Sequence, residues 1–120
     1  MKILLVEDHA TVADMSCRLL REVYDHEVRL ASSAREAFER LEQFAPDMAL
    51  IDLNLPDMSG YELAHRIRSD PKHDGLVMIA LTGWGNLVDE PLATMSGFDA
   101  HFRKPMDFEM LPMIRRRTTG

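Results

Sequence analysis

Short apolar runs recur along the chain, separated by segments with helical spacing. Met48-Ala49-Leu50-Ile51 is apolar at every position, the pattern of a strand covered by helices on both sides of a parallel sheet. Ile3 to Val6 and Leu76 to Leu81 read the same way, whereas Val28-Arg29-Leu30 alternates, as an edge strand would. Ala100-His101-Phe102 begins a last strand that reaches Lys104-Pro105. Between these runs, residues from about 10 to 23 place Val12, Met15, Leu19, Leu20 and Val23 at helical spacing. Ser32 or Ser33 caps a second helix carrying Ala34, Ala37, Phe38 and Leu41, with Glu36 at capping-box distance from Ser33. A third helix runs from Gly60 to Arg68 with Tyr61, Leu63, Ala64 and Ile67 on one side, and Ser69-Asp70-Pro71 stops it.

The next helix, over 87–96, contains Pro91, which is tolerated only near a first turn, and Gly97 suits its C′ position. Asp107 caps a final helix through Arg117, with Pro112 delaying or bending it. This is β-α repeated five times. Strict alternation with right-handed crossovers predicts a five-stranded parallel sheet with helices on both faces, doubly wound in the order 2-1-3-4-5. With 120 residues and 46% hydrophobic content, the expectation is one compact domain, residues 1–120, with about 115–120 a tail or the start of a linker.

The polar residues that end the strands matter most. Strand one ends in Glu7-Asp8, strand three in Asp52, strand four in Thr82-Gly83 and strand five in Lys104-Pro105. In the order 2-1-3-4-5 strands one and three are neighbours, so Glu7, Asp8 and Asp52 meet at the switch point, where open α/β sheets bind ligands. Like-charged carboxylates about 4 Å apart cost on the order of 4 kcal/mol per pair at an effective dielectric near 20. Lys104 relieves one charge and not three. A hard divalent cation held by oxygens is the natural answer, and Mg²⁺ suits few carboxylates plus waters and a phosphoryl oxygen. A backbone carbonyl after Asp52, with Asn54 the favoured source, completes the protein ligands. Thr82, the Gly83 N–H and Lys104 are donors suited to an anion with several oxygens. A carboxylate nucleophile, a metal and such donors describe phosphoryl transfer through an aspartyl phosphate.

Charge and composition narrow the alternatives. The net charge of −6 gives no global basic field for nucleic acid or anionic lipid. Arg115-Arg116-Arg117 reads first as a basic last turn complementing a helix dipole, and second as a phosphate-contacting patch. The single Cys17 excludes an internal disulfide and a cysteine metal cage, and reads as packing within the first helix. No apolar run approaches the roughly 18 residues of a membrane span, so a cytoplasmic protein is expected.

Taken with their order, Ile3-Leu4-Leu5-Val6-Glu7-Asp8, Ile51-Asp52-Leu53-Asn54-Leu55-Pro56-Asp57-Met58-Ser59-Gly60, Ala80-Leu81-Thr82-Gly83 and Gly97 to Pro105 resemble the response-regulator receiver domains of bacterial two-component signalling. The resemblance spans essentially the whole chain and implies the flavodoxin-like fold of the chemotaxis-regulator superfamily. It implies that Asp52 accepts the phosphoryl group, Asp8 binds Mg²⁺ directly and Glu7 reaches it mainly through water. It assigns the backbone carbonyl of Asn54 to the metal, the switch hydroxyl to Thr82 and phosphoryl binding to Lys104. The Lys104-Pro105 bond is typically cis in the family, which would fix the approach of the lysine. Where the family usually carries Tyr or Phe as its switch aromatic, three residues before the lysine, this chain has His101. Trp84, two residues after Thr82, stands where it could govern water access or be a surface aromatic.

The expectation is therefore a receiver domain phosphorylated by a sensor histidine kinase or histidine phosphotransfer protein. It catalyses its own phosphorylation and dephosphorylation and is not a classical enzyme. It switches a downstream protein or a missing effector domain as a monomer or weak dimer, with no nucleic acid bound in this segment. The initial Met before strand one reads as a natural start. Two rivals are an aspartate-based phosphohydrolase, which would want an acid where Asn54 stands, and an interaction module on the same fold that works without phosphorylation.

Overall fold

The computed structural model of the chain describes residues 1–83 and 88–104. Five strands, β1 (Lys2–Val6), β2 (Glu27–Ala31), β3 (Met48–Asp52), β4 (Val77–Thr82) and β5 (Ala100–Arg103), form one parallel sheet in the order β2-β1-β3-β4-β5. The helices are α1 (Ala10–Arg18), α2 (Ala34–Gln43), α3 (Gly60–Arg68) and α4 (Glu90–Ser96). The expected final helix from Asp107, with Pro112 and the Arg115-Arg116-Arg117 run, lies outside the described residues, as do Trp84 and Pro105.

The sheet is buried on both faces, which is why β3 and β4 tolerate no polar residue before their last position. Alternation sends Leu4 and Val6 of β1 into one core with Ala37, Leu63, Ala64 and Ile67. It sends Ile3 and Leu5 into the other with Cys17, Leu20 and Phe102. Cys17 is buried packing, and burial raises its thiol pKa, which keeps it protonated and unreactive.

Helix α1 corrects the sequence expectation. Its buried positions are Ala13, Ser16 and Cys17, followed by Leu20, while Met15 and Val23 are exposed at 45% and 65%. Small side chains let the helix lie close to the sheet, so the i, i+3, i+4, i+7 set of contact positions is marked by size and not by hydropathy. The predicted span 10–23 also divides: after Arg18 the chain makes a π-helical turn over Leu19–Val23.

The ends of the other helices follow their caps. Ser33 accepts the Glu36 N–H, as expected, but the Glu36 carboxylate reaches Ser32 and not the Ser33 amide, taking both its N–H and its hydroxyl. Helix α4 begins at Glu90, shorter than the predicted 87–96, because Asp89 caps it and Pro91 occupies its first turn. Gly97 ends it with φ 98°, left-handed backbone that a glycine adopts without strain.

Candidate functional site

The register assembles the site. Val6 of β1 lies beside Ile51 of β3, so the next residues, Glu7 and Asp52, leave the sheet side by side. Asp52 pairs in turn with Leu81, and Thr82 with Arg103, which brings Thr82 and Lys104 to the same edge. The Lys104 N–H donates to the Thr82 carbonyl at 2.9 Å, extending the ladder past the end of β5. One cleft is lined by Glu7, Asp8, Asp52, Asn54, Thr82, Gly83 and Lys104. Six of them are the strand-end residues that the sheet order predicts at one edge, and Asn54 is the loop residue expected to follow Asp52.

Single oxygens of Glu7, Asp8 and Asp52 lie within 4.8 Å of one another. The Lys104 Nζ donates to Glu7 Oε2 at 2.9 Å and to Asp52 Oδ2 at 3.3 Å. Glu7 is 1% exposed. Its burial, together with a hydrogen bond to Asp52, pushes its pKa up to about 7 against the opposing pull of Lys104. Burial is the main cause and Asp52 the second, so Glu7 retains a proton close to neutral pH in spite of Lys104. The donor set is three hard oxygens with no thiolate or imidazole among them, which fits Mg²⁺ better than a softer transition metal.

Asp52 has a second restraint. Its Oδ1 accepts the main-chain N–H of Asn54 at 3.0 Å, so the loop after β3 folds back onto the carboxylate. Gly60 permits that fold: its N–H donates to the Leu53 carbonyl at 2.8 Å, and a Cβ there would stand 2.4 Å from the Asp52 carbonyl oxygen. Thr82 is buried, and its hydroxyl donates a long 3.4 Å bond to the Phe102 carbonyl. At that length the bond is weak.

His101 is the residue the structure does not bring to the cleft. It sits on β5 opposite Ala80, about half exposed, with Nε2 4.0 Å from a Glu90 carboxylate oxygen of α4. Sequence reasoning missed others that line the cleft, among them His9, Ser59 and Tyr61. His9 carried a signal, since it precedes α1 and its Nδ1 caps the Val12 N–H. Asp57 also went unread: from the β3–α3 loop its carboxylate accepts the Ala34 and Arg35 N–H groups at the start of α2. Those bonds hold its pKa below the usual carboxylate range.

Fold and cleft together define a doubly wound α/β domain with an acid-and-lysine site at the carboxyl ends of its strands. The chain belongs to the response regulator receiver domain family, whose profile matches residues 3–114. It is 36% identical, over its whole length, to the two-component response regulator PhoP of Pseudomonas aeruginosa, and spans 54% of that relative. The CheY-like receiver domain protein of Methanospirillum hungatei JF-1 superposes with a TM-score of 0.79 at 30% identity, covering 93% of this chain and 87% of its own. The receiver domain of Saccharomyces cerevisiae Ssk1, solved with the histidine phosphotransfer protein Ypd1, gives 0.78 at 26% identity, covering 93% and 83%. The chain is thus a signalling module of the two-component and phosphorelay kind.

Proposed function

We propose that Asp52 takes a phosphoryl group from the phosphohistidine of a sensor histidine kinase or histidine phosphotransfer protein. A carboxylate oxygen of Asp52 forms the new bond to phosphorus as the P–N bond to the donor imidazole breaks. The imidazole leaves neutral once its freed nitrogen takes up a proton. In this reading Lys104 neutralises an oxygen of the transferring group, and the Thr82 hydroxyl and Gly83 N–H donate to others. Glu7, Asp8 and Asp52, with the Asn54 carbonyl, would hold Mg²⁺, which when bound supplies charge neutralisation for the phosphoryl oxygens. Water attacking the acyl phosphate returns Asp52 to its free form.

The observation that carries this reading is the position of Lys104, in contact with both Glu7 and Asp52 inside a cluster of three carboxylates. The output is a change in a protein-interaction face that includes α4 and β5 and acts on a downstream protein or an effector domain. Incubation with a phosphorylated histidine phosphotransfer protein and Mg²⁺ tests it. The wild type gains an acid-stable, base-labile label, and Asp52→Asn gains none. A label of equal yield on Asp52→Asn, or none on the wild type, sinks the mechanism.

A further inference from the structure

Helix α4 is tied to α3 at both of its ends, and one side chain makes two of the ties. Tyr61, the second residue of α3, accepts the main-chain N–H of Asp89 on its hydroxyl at 3.1 Å. Asp89 is the capping residue of α4: its carboxylate takes the Leu92 N–H and its carbonyl the Ala93 N–H. The ring of the same tyrosine meets Phe98, the residue after Gly97, edge to face with centroids 6.2 Å apart. At that far end Arg68, the last residue of α3, donates twice to the Gly97 carbonyl, at 3.0 and 3.3 Å. Its stem also packs where a Gly97 Cβ would stand.

The start of α3 is in turn pressed against the acceptor strand. Gly60, next to Tyr61, approaches Asp52 and Leu53 so closely that the nearest atoms an added methyl would meet are their backbone atoms, and its N–H is bonded to the Leu53 carbonyl. A displacement of the Asp52–Leu53 backbone therefore moves the first turn of α3 with no soft element in between. Tyr61 then passes that motion to the cap of α4.

We propose that Tyr61 is a positioning residue through which the state of the Asp52 strand end is imposed on α4, by way of α3 and independently of His101. The proposal rests on Asp52 being the phosphoryl acceptor. Tyr61→Phe removes the acceptor of the Asp89 N–H and keeps the ring on Phe98, whereas Tyr61→Ala removes both. Amide hydrogen exchange across α4 is measured with and without beryllofluoride and Mg²⁺, in parallel with ¹⁹F resonances reporting occupancy of Asp52.

In the free protein, Tyr61→Phe speeds exchange at the Asp89 amide about fivefold, the loss of one hydrogen bond. Per occupied molecule, the ligand-induced change in protection over Leu92–Ser96 falls to half or less of the wild-type change in Tyr61→Phe and further in Tyr61→Ala. A residue that merely stabilised the fold would alter the baseline and leave that difference intact. Full occupancy with an unchanged α4 response in Tyr61→Phe overturns the route through Tyr61 and leaves the phosphoryl-acceptor reading standing. Absence of occupancy in the wild type overturns that reading, and this proposal with it.

Discussion

Replacing Glu7 by Gln should make the metal-free protein more stable near neutral pH and less responsive to Mg²⁺. The substitution keeps the shape of the side chain and removes a charge that burial disfavours. Glu7 is raised from 4.5 to about 7 by burial first and by Asp52 second. A carboxylate whose pKa is raised on folding contributes stability that is fully present below its unfolded value and is lost as pH rises through the folded value. For Glu7 the window runs from about pH 4.5 to about pH 7. At 1.36 kcal/mol per pKa unit, the loss across that window is about 3 kcal/mol. No discount for solvent screening applies, because Glu7 is 1% exposed.

His26 and His73 titrate nearby, with pKa values lowered mainly by burial, so their stability grows as pH rises towards 6.5. They do so in both proteins and cancel in the difference. The assay is urea denaturation at intervals from pH 4 to 8 in the presence of a chelator. Glu7→Gln should gain on the wild type by about 3 kcal/mol over the window and level off above it. Millimolar Mg²⁺ at pH 7.5 should restore the wild type and raise the variant much less. A difference that stays constant from pH 4.5 to 7.5 would refute the view that Glu7 is an uncompensated buried acid.

Three further outcomes are expected. Gly60→Ala drives a Cβ to 2.4 Å from the Asp52 carbonyl oxygen and 2.7 Å from Leu53 Cα, both backbone and neither free to move away. It should cost about 3 kcal/mol in urea denaturation and slow phosphoryl uptake at Asp52. Ser16→Ala should add about 1 kcal/mol, since the Ser16 hydroxyl is fully buried and finds no hydrogen-bond partner among the described residues. On the outer edge of β2, Arg21 Nη2 donates to the Val28 carbonyl at 2.6 Å and Arg40 Nε to the Leu30 carbonyl at 3.2 Å. Together they cover edge acceptors that a second chain could otherwise use. The double alanine variant should form concentration-dependent dimers by light scattering, and a variant that scatters like the wild type at every concentration would refute this role.

How much of this was legible in the chain depends on the range of the interaction. Continuous apolar runs located β1, β3 and β4, and alternation of strands and helices then fixed sheet order, because crossover handedness leaves few choices. Sheet order alone gathered Glu7, Asp52, Thr82 and Lys104, since strand ends are placed by topology and not by side-chain detail. What the pattern could not reach were ties between residues far apart in sequence and lacking any period. Asp57 to the start of α2, Tyr61 to Asp89 and Arg68 to Gly97 are of that kind. The face of α1 was misread for a different reason: hydropathy ranked Met15 and Val23 above Ala13 and Ser16, while close helix–sheet approach selects small side chains.

The position of His101 bears on how those ties divide the work. At the first turn of α4, His101 of β5 stands 4.0 Å from the Glu90 carboxylate and Tyr61 of α3 holds the Asp89 N–H. The first contact lies between groups 45% and 75% exposed, is an ion pair only when the imidazole is protonated, and falls in the class worth about 0–1 kcal/mol. The second is a hydrogen bond of about 1 kcal/mol, reinforced by an aromatic pair of about 0.5–1.5 kcal/mol and by Arg68 at the far end of α4. Of these contacts, those from α3 are the stronger. A histidine in place of an aromatic at position 101 leaves that grip intact, because none of the bonds that make it involves β5.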